Sequence, residues 1–369
     1  MKNRWMYVLM LAIAATAAGC LTGRMPGNFP LPDTGNGGTV QDTVLYKPAE
    51  VFTWHPVGML DARGGGTAAL GIAAYRDVGI TMMGVHYKNP GLFDNGYHYI
   101  NAIRDSLGGR VIRTLPTFHH MATLERHTFV NFGKWISDWK NPGDPGEFVR
   151  SITDSIPLLC DGLGFDVEED ILNLRKYPLS IEDEDLARAW GLRITNEDGY
   201  VTFRNRQIAT LARLIFLTVQ KRHPSCAVAI VYSAYQGDTN NGHETRASYG
   251  CDWELMTSAE LQWNGFTLPK ITHAMLAYVQ GPKIPDRLVR WARTLPVPIL
   301  YNVQTYVPEG ADYDAYHVRK TEQVLRNIRP GKDGVGFVDF DEDGEAPQLW
   351  DDYDARTIPL IASVRKRAK

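Results

Sequence analysis

The sequence predicts an α/β protein: a single-domain (β/α)8 TIM barrel behind an N-terminal signal and tether. Three observations carry this. Eight short apolar runs recur along the body, helix-patterned segments separate them, and no GxGxxG turn follows the first run. Strands alternating with helices over about 300 residues imply parallel strands joined by crossover helices. Eight such strands fit a closed barrel. The competitor is an open doubly wound sheet, and the missing phosphate-binding turn counts against it.

The first element is an address. Lys2 and Arg4 precede a charge-free run from Met6 to Ala18, which ends at Ala17-Ala18-Gly19-Cys20. The run is too short to cross a membrane comfortably and has the layout of a secretory signal. Its ending resembles a bacterial lipoprotein signal, which implies cleavage of residues 1–19 and a lipid on Cys20. Leu21 lacks the Asp that would favour inner-membrane retention, which points to the outer membrane or the periplasmic face of the cell envelope. Residues 20–46 are rich in Gly, Pro, Asn, Asp and Thr without hydrophobic period, the composition of a flexible tether. The barrel domain then occupies 47–369.

Within the body the strand-like runs are Val51 to Trp54, Ile80 to Tyr87, Val111 to Phe118 and Leu163 to Glu168. They continue with Ala227 to Tyr235, Ile271 to Val279, Pro298 to Tyr306 and Gly334 to Asp341. Amphipathic helices are expected at Phe203 to Arg222, Asp286 to Arg293 and Tyr316 to Asn327, and an acidic helical piece at Glu182 to Trp190. A turn at Gly199 should precede the long helix, with Arg204 and Arg206 pairing to Glu197 or Asp198. The long connection after Glu168 reads as a lid or subsite wall. The insertion from Gly237 to Pro269 carries Trp253 and Trp263 as added stacking surface.

The 369 residues are 44% hydrophobic and 22% charged, with a net charge of −3, so the chain has an ordinary globular composition. It lacks the positive excess with which nucleic-acid binders displace counterions, and nucleic acid is not expected as a partner. Beyond Cys20, Cys160, Cys226 and Cys251 show no metal-ligand spacing. Buried thiols are favoured over a Cys160–Cys226 pair, and no metal or cofactor is expected. Asp339 to Gly344 begins like a calcium loop, but Trp350 stands where a bidentate Glu is required. His119-His120 lacks a spaced partner, and Ser233 lies outside any GxSxG elbow.

In a barrel, the C-terminal strand ends build the site. Here they carry His55, His86, Tyr87, His119, Tyr232, Tyr235, Tyr278, Gln280, Asn302, Gln304, Tyr306, Asp339 and Asp341. Aromatic faces stack on sugar C–H surfaces, and amides and acids bond hydroxyls, so an oligosaccharide or polysaccharide is the expected ligand.

The most informative run is Cys160-Asp-Gly-Leu-Gly-Phe-Asp-Val-Glu168. With a period of two, Leu163, Phe165 and Val167 share one face, and Gly164, Asp166 and Glu168 share the other. Two neighbouring carboxylates raise the proton affinity of at least one, as a general acid near neutral pH requires. Asp161 to Glu168 resembles the DGxDxDxE strand of glycoside hydrolase family 18, the chitinases and endo-β-N-acetylglucosaminidases, and it falls on the fourth strand as theirs does. The resemblance implies that Glu168 protonates the leaving oxygen and that Asp166 orients the substrate acetamido group, whose oxygen attacks the anomeric carbon. Tyr278, in Met275-Leu-Ala-Tyr278, would stabilise the intermediate. Gly164 stands where the motif has Asp. Two-glutamate barrels would need a nucleophile on strand seven, where Gln304 stands and Glu309 is the nearest acid. The expected function is glycosidase action on O-glycosidic bonds with substrate assistance. The alternatives are a non-catalytic glycan-binding lipoprotein and a metal-dependent barrel hydrolase.

Overall fold

In the chain's computed structural model, the residues described are 44–56, 81–87, 113–119, 131–156, 161–167, 178–234, 246–247, 249–277, 286–304, 312–338, 366 and 368. Their strands are β1 (Val51–Pro56), β2 (Met82–Tyr87), β3 (Arg113–His119), β4 (Gly162–Asp166) and β5 (Val228–Ala234), followed by β6 (Gln262–Trp263), β7 (Phe266–Thr267), β8 (His273–Ala277), β9 (Ile299–Gln304) and β10 (Gly334–Val338). The short β6 and β7 form an antiparallel hairpin outside the main sheet. The other eight pair in parallel around a closed ring in the order β1-β10-β9-β8-β5-β4-β3-β2. Each falls within or beside one of the eight apolar runs. The sixth barrel strand is therefore β8, the seventh β9 and the eighth β10.

Helices accompany five crossovers. They are α1 (Phe132–Asp138) and α2 (Gly146–Ser155) before β4, α3 (Ile181–Ala189) and α4 (Glu197–Arg222) before β5, and α5 (Trp253–Thr257) before β8. Then α6 (Asp286–Thr294) leads to β9 and α7 (Tyr313–Asn327) to β10. The crossovers from β1 to β2 and from β2 to β3 lie outside the described residues. Residues 43–369 form one compact unit. No described helix is long and apolar enough to cross a membrane; the signal and residues 20–43 of the expected tether lie outside the described residues, while its last residues are packed, with Leu45 buried.

Local sequence explains where the helices begin. Ser180 and Asp183 make a reciprocal capping box at α3, and Asp312 accepts from the backbone N–H of Ala315 at α7. Asn196 caps α4 by accepting from Gly199 N–H at 2.9 Å. Gly199 thus lies in the first helical turn rather than forming a turn ahead of it. A Cβ there would stand 2.6 Å from the Arg193 carbonyl oxygen, which explains the glycine without a break in the helix.

The long helix α4 also departs from an amphipathic reading. From Tyr200 to Val219 nearly every residue is buried, because α1, α2 and α5 pack against it and its side chains share one core with the outer faces of the strands. A helix enclosed on all sides has no solvent face to display. Its polar residues are consequently partnered internally. Arg204 pairs with Asp183 of α3 at 3.1 Å, both at 1% exposure or less. Gln207 donates to the same carboxylate at 2.6 Å. Arg206 places its guanidinium over the Trp190 ring, 4.9 Å from the centroid. Neither arginine makes the expected pair with Glu197 or Asp198. Arg213 is fully buried and donates to the carbonyls of Leu255, Ala259, Leu268 and Pro269. It thereby pins the insertion between β5 and β8 to the helical layer.

Trp253 and Trp263 belong to that packing, not to an open stacking surface. Trp253 is 4% exposed and meets Trp291 edge-on, while Trp263 donates to the Ile136 carbonyl at 2.9 Å. The described part of the connection after β4 is α3. It buries Asp183, Leu186 and Ala187 and packs on α1. Cys226 and Cys251 are buried, and Cys160 lies outside the described residues.

At the N-terminal end of the barrel, Asp333 is the common acceptor. It takes the Ile299 N–H at 3.0 Å and the Arg329 guanidinium at 2.7 Å. The incoming chain is fixed at the same end, with Tyr46 N–H donating to the Leu325 carbonyl and Ala49 N–H to that of Asp333. Nearby on α7, Lys320 is fully buried, and desolvation pushes its ammonium down to about 8. The unfolded value is near 10.4, so between these pH values the unfolded chain holds more protons. Stability should therefore rise as pH climbs from about 8 toward 10. Melting curves of Lys320→Met across that window should lose the rise.

Candidate functional site

Strand alternation sorts the barrel into two faces. Val51, Leu163, Phe165, Val167, Ala229, Val231, Ala274, Leu276, Ile299, Tyr301 and Val335 pack in the large cluster with the helices. Phe52, Met82, Leu115, Val228, Ile230, Tyr232, Met275 and Leu300 form a separate cluster inside the barrel. On β4 the inward positions are therefore Gly162, Gly164 and Asp166.

The strand registers resolve the interior into levels, as in barrels whose alternate strands fill successive layers. One level consists of Phe52, Leu115, Ile230 and Leu300. The next, toward the C-terminal ends, consists of Gly84, Gly164, Met275 and Gly336. Three of its four positions have no side chain. Met275 extends into the space this leaves: a Cβ on Gly336 would meet its Cε at 2.6 Å. Above that level come positions 54, 117, 232 and 302, and above them 86, 166, 277 and 338.

Asp166 is 1% exposed at the end of β4, where its direct strand partners are His119 and Tyr232. The chain beyond it stays attached to β5. Val167 N–H donates to the Tyr232 carbonyl at 2.8 Å, and its own carbonyl accepts from the Ser233 hydroxyl at 2.8 Å. Glu168 follows directly but lies outside the described residues. Behind this strand end, burial pushes the Cys251 thiol well up, and the carboxylates of Asp252 and Asp166 add to the effect. Cys251 is therefore a packed thiol rather than a nucleophile.

Two other expected site residues are described in full. Tyr232 is 1% exposed within the interior cluster. Asn302 is fully buried on β9 with Gly336 as its strand partner, and neither amide atom has a hydrogen-bond partner among the described residues. For His55, His86, Tyr87, His119 and Gln304 the strand backbone is described. Counted from Phe52 and Met82, His86 falls at an inward position, whereas His55 and Tyr87 fall at outward ones. His119 and Gln304 are also at inward positions. Tyr235, Tyr278, Gln280, Tyr306, Asp339, Asp341 and Cys20 lie outside the described residues. The described residues hold no group of three or more His, Cys, Asp or Glu side chains arranged for a metal ion.

Sequence reading missed the glycine level and its methionine. Their signal was present in Gly84, Gly164 and Gly336, each inside an apolar run where glycine weakens a strand and marks a close approach.

No protein-family model matches the chain, and no curated protein matches its sequence. Solved structures do. The catalytic domain of β-amylase from Paenibacillus polymyxa aligns with a TM-score of 0.47 at 9% identity, over 86% of this chain and 99% of that one. An exo-β-1,4-mannosidase from an Opitutaceae bacterium aligns at 0.46 and 11% identity, over 89% of this chain. In that case the chain spans 62% of the other protein, under two thirds of its length. A sugar phosphate isomerase/epimerase from Parabacteroides distasonis aligns at 0.39 and 11% identity, over 91% and 97% of the two chains. The likeness is distant in each case.

Proposed function

We propose that the chain is a complete (β/α)8 barrel of the glycoside hydrolase kind, held in the bacterial envelope by a lipid on Cys20 and acting on an oligosaccharide or polysaccharide. The observation that carries this reading is the place of Asp166. A buried carboxylate ends the fourth strand of a closed parallel barrel on its inner face, one residue pair below Glu168. In barrel enzymes this end is where chemistry is done. Glu168 is the general acid that delivers its proton to the glycosidic oxygen as the bond to the anomeric carbon breaks. Asp166 orients the substrate acetamido group, whose oxygen closes on that carbon, and Tyr278 steadies the charge that develops. Water then opens the cyclic intermediate and restores the acetamido group, returning a proton to Glu168. Tyr232 and Asn302 supply the inner wall, and the rim residues at the other strand ends contact the remaining sugar units.

A second reading is favoured by a specific observation, the absence of a side chain at Gly164 beneath Asp166. A carboxylate without that inner neighbour suits a barrel that binds glycans and does not cleave them. Incubating the protein with N-acetylated and neutral oligosaccharides separates the two. Reducing-end product is the expected result, saturable binding with no product supports the binding protein, and neither binding nor product overturns both.

A further inference from the structure

Polar groups converge in the C-terminal half of the barrel interior. Asp166 ends β4 on the inner face with Tyr232 as its strand partner, and Asn302 lies at the level of Tyr232 on β9. Asn302 shares the inward parity of Leu300, a member of the interior cluster, so its carboxamide points toward the barrel axis. It is fully buried, and neither Oδ1 nor Nδ2 has a hydrogen-bond partner among the described residues. An amide offers two donors and an acceptor with two lone pairs, and leaving them all unmet in a buried place is costly. Such a group calls for a partner from outside the chain, either a fixed water or a ligand. Its surroundings favour a ligand. The strand partner Gly336 has no side chain, and the Met275 thioether takes that place, its Cε 2.6 Å from where a Gly336 Cβ would stand. Methionine is unbranched with three rotatable bonds and repacks readily, so the boundary under the amide can yield to an entering group. Below it Phe52, Leu115, Ile230 and Leu300 close the interior with apolar side chains. An interior closed from below accepts the end of a chain and excludes a chain that runs through.

We infer that Asn302 selects the substrate by its end: the carboxamide receives the adjacent O3 and O4 hydroxyls of an unsubstituted terminal sugar, one donating to Oδ1 and the other accepting from Nδ2. The site then works on chain ends rather than internal units. The inference deepens the glycan reading and rests on it. A chain linked through O3 or O4 offers that pair of hydroxyls only at its non-reducing end. With the pair held one level below Asp166, the anomeric carbon and the leaving group face the strand ends, as the proposed chemistry requires. Selection at such a depth is strong, because an analogue lacking either hydroxyl leaves a buried amide unmet again.

The test titrates the protein with sulfur-linked disaccharides of N-acetylglucosamine and of glucose, which resist hydrolysis, and follows binding by calorimetry. For the disaccharide that binds, removing O3 or O4 from the non-reducing unit should weaken binding by about 10- to 100-fold, whereas removing O6 should change little. Methylating O3 and O4 together should abolish binding. Asn302→Leu should weaken binding of the parent disaccharide to a similar extent and lose the preference among the analogues. Its melting temperature should stay level or rise, because the unmet amide is gone. A purely structural Asn302 gives the opposite pattern, a lower melting temperature with binding kept. That pattern, or equal binding of the O3, O4 and O6 analogues by the unaltered protein, overturns the inference and leaves the glycan reading standing. Binding of neither parent disaccharide overturns the glycan reading, and the inference with it.

Discussion

Glu168→Gln is expected to lower turnover by about 10²–10⁴-fold, the range contributed by general acid–base catalysis, while saturable binding of the same oligosaccharide persists. Glutamine keeps the shape of the side chain and its capacity to bond a sugar hydroxyl, but it has no proton to give to the leaving oxygen. The loss should therefore depend on the leaving group. Substrates with an aryl leaving group of low pKa need little protonation, so the variant should release the first equivalent of the aryl group at close to the wild-type rate and fall furthest behind on natural glycans. Asp166→Asn should slow both substrate types, because in the proposed mechanism Asp166 acts on the attacking acetamido group rather than on departure. Unchanged hydrolysis of a natural glycan by Glu168→Gln removes Glu168 from the mechanism, whatever the rates on activated substrates.

Asp183→Ala is expected to destabilise the fold by about 3–5 kcal/mol, the usual cost of removing one partner from a buried ion pair. Arg204 would keep its charge at 1% exposure with Tyr200 and Gln207 as its hydrogen-bond partners among the described residues. The same carboxylate also accepts from the Ser180 N–H at the start of α3, so the substitution removes a helix cap as well. Asp183→Asn retains one acceptor oxygen and should lose less. Replacing both Asp183 and Arg204 by leucine should recover much of the loss, because no buried charge then remains unmatched. Chemical denaturation of the three variants measures this. A double variant less stable than Asp183→Ala would show that the pair is worth more than its desolvation cost.

The strands were legible because barrel strands such as β4 and β5 are buried on both faces and appear as apolar runs such as Ala229 to Tyr232. On β4 the inner and outer faces followed from alternation, as at Leu163, Phe165 and Val167. Helix surroundings were not legible in the same way. The run from Phe203 to Arg222 has polar residues at intervals that imitate a solvent face, yet Arg204, Gln207 and Arg213 point into protein and find partners far along the chain. Nothing local in the sequence encodes an Arg213 that bonds carbonyls more than forty residues away. The helix α1 went unread although Phe132, Trp135, Ile136 and Trp139 repeat at helical spacing, and all four are buried. At the site, sequence placed Asp166, Tyr232 and Asn302 at strand ends. It did not show that His55 and Tyr87 fall on the other parity of their strands, because parity depends on which residue of each run first faces inward.

The level of glycines has a consequence for how such a barrel can change. At that storey a single flexible thioether stoppers the central shaft, where most barrels wedge several rigid branched side chains against one another. One exchange at Met275 would open room under the level of Tyr232 and Asn302 without touching any group on the rim. The filling of this shaft is thus adjustable independently of the strand ends, and from one codon.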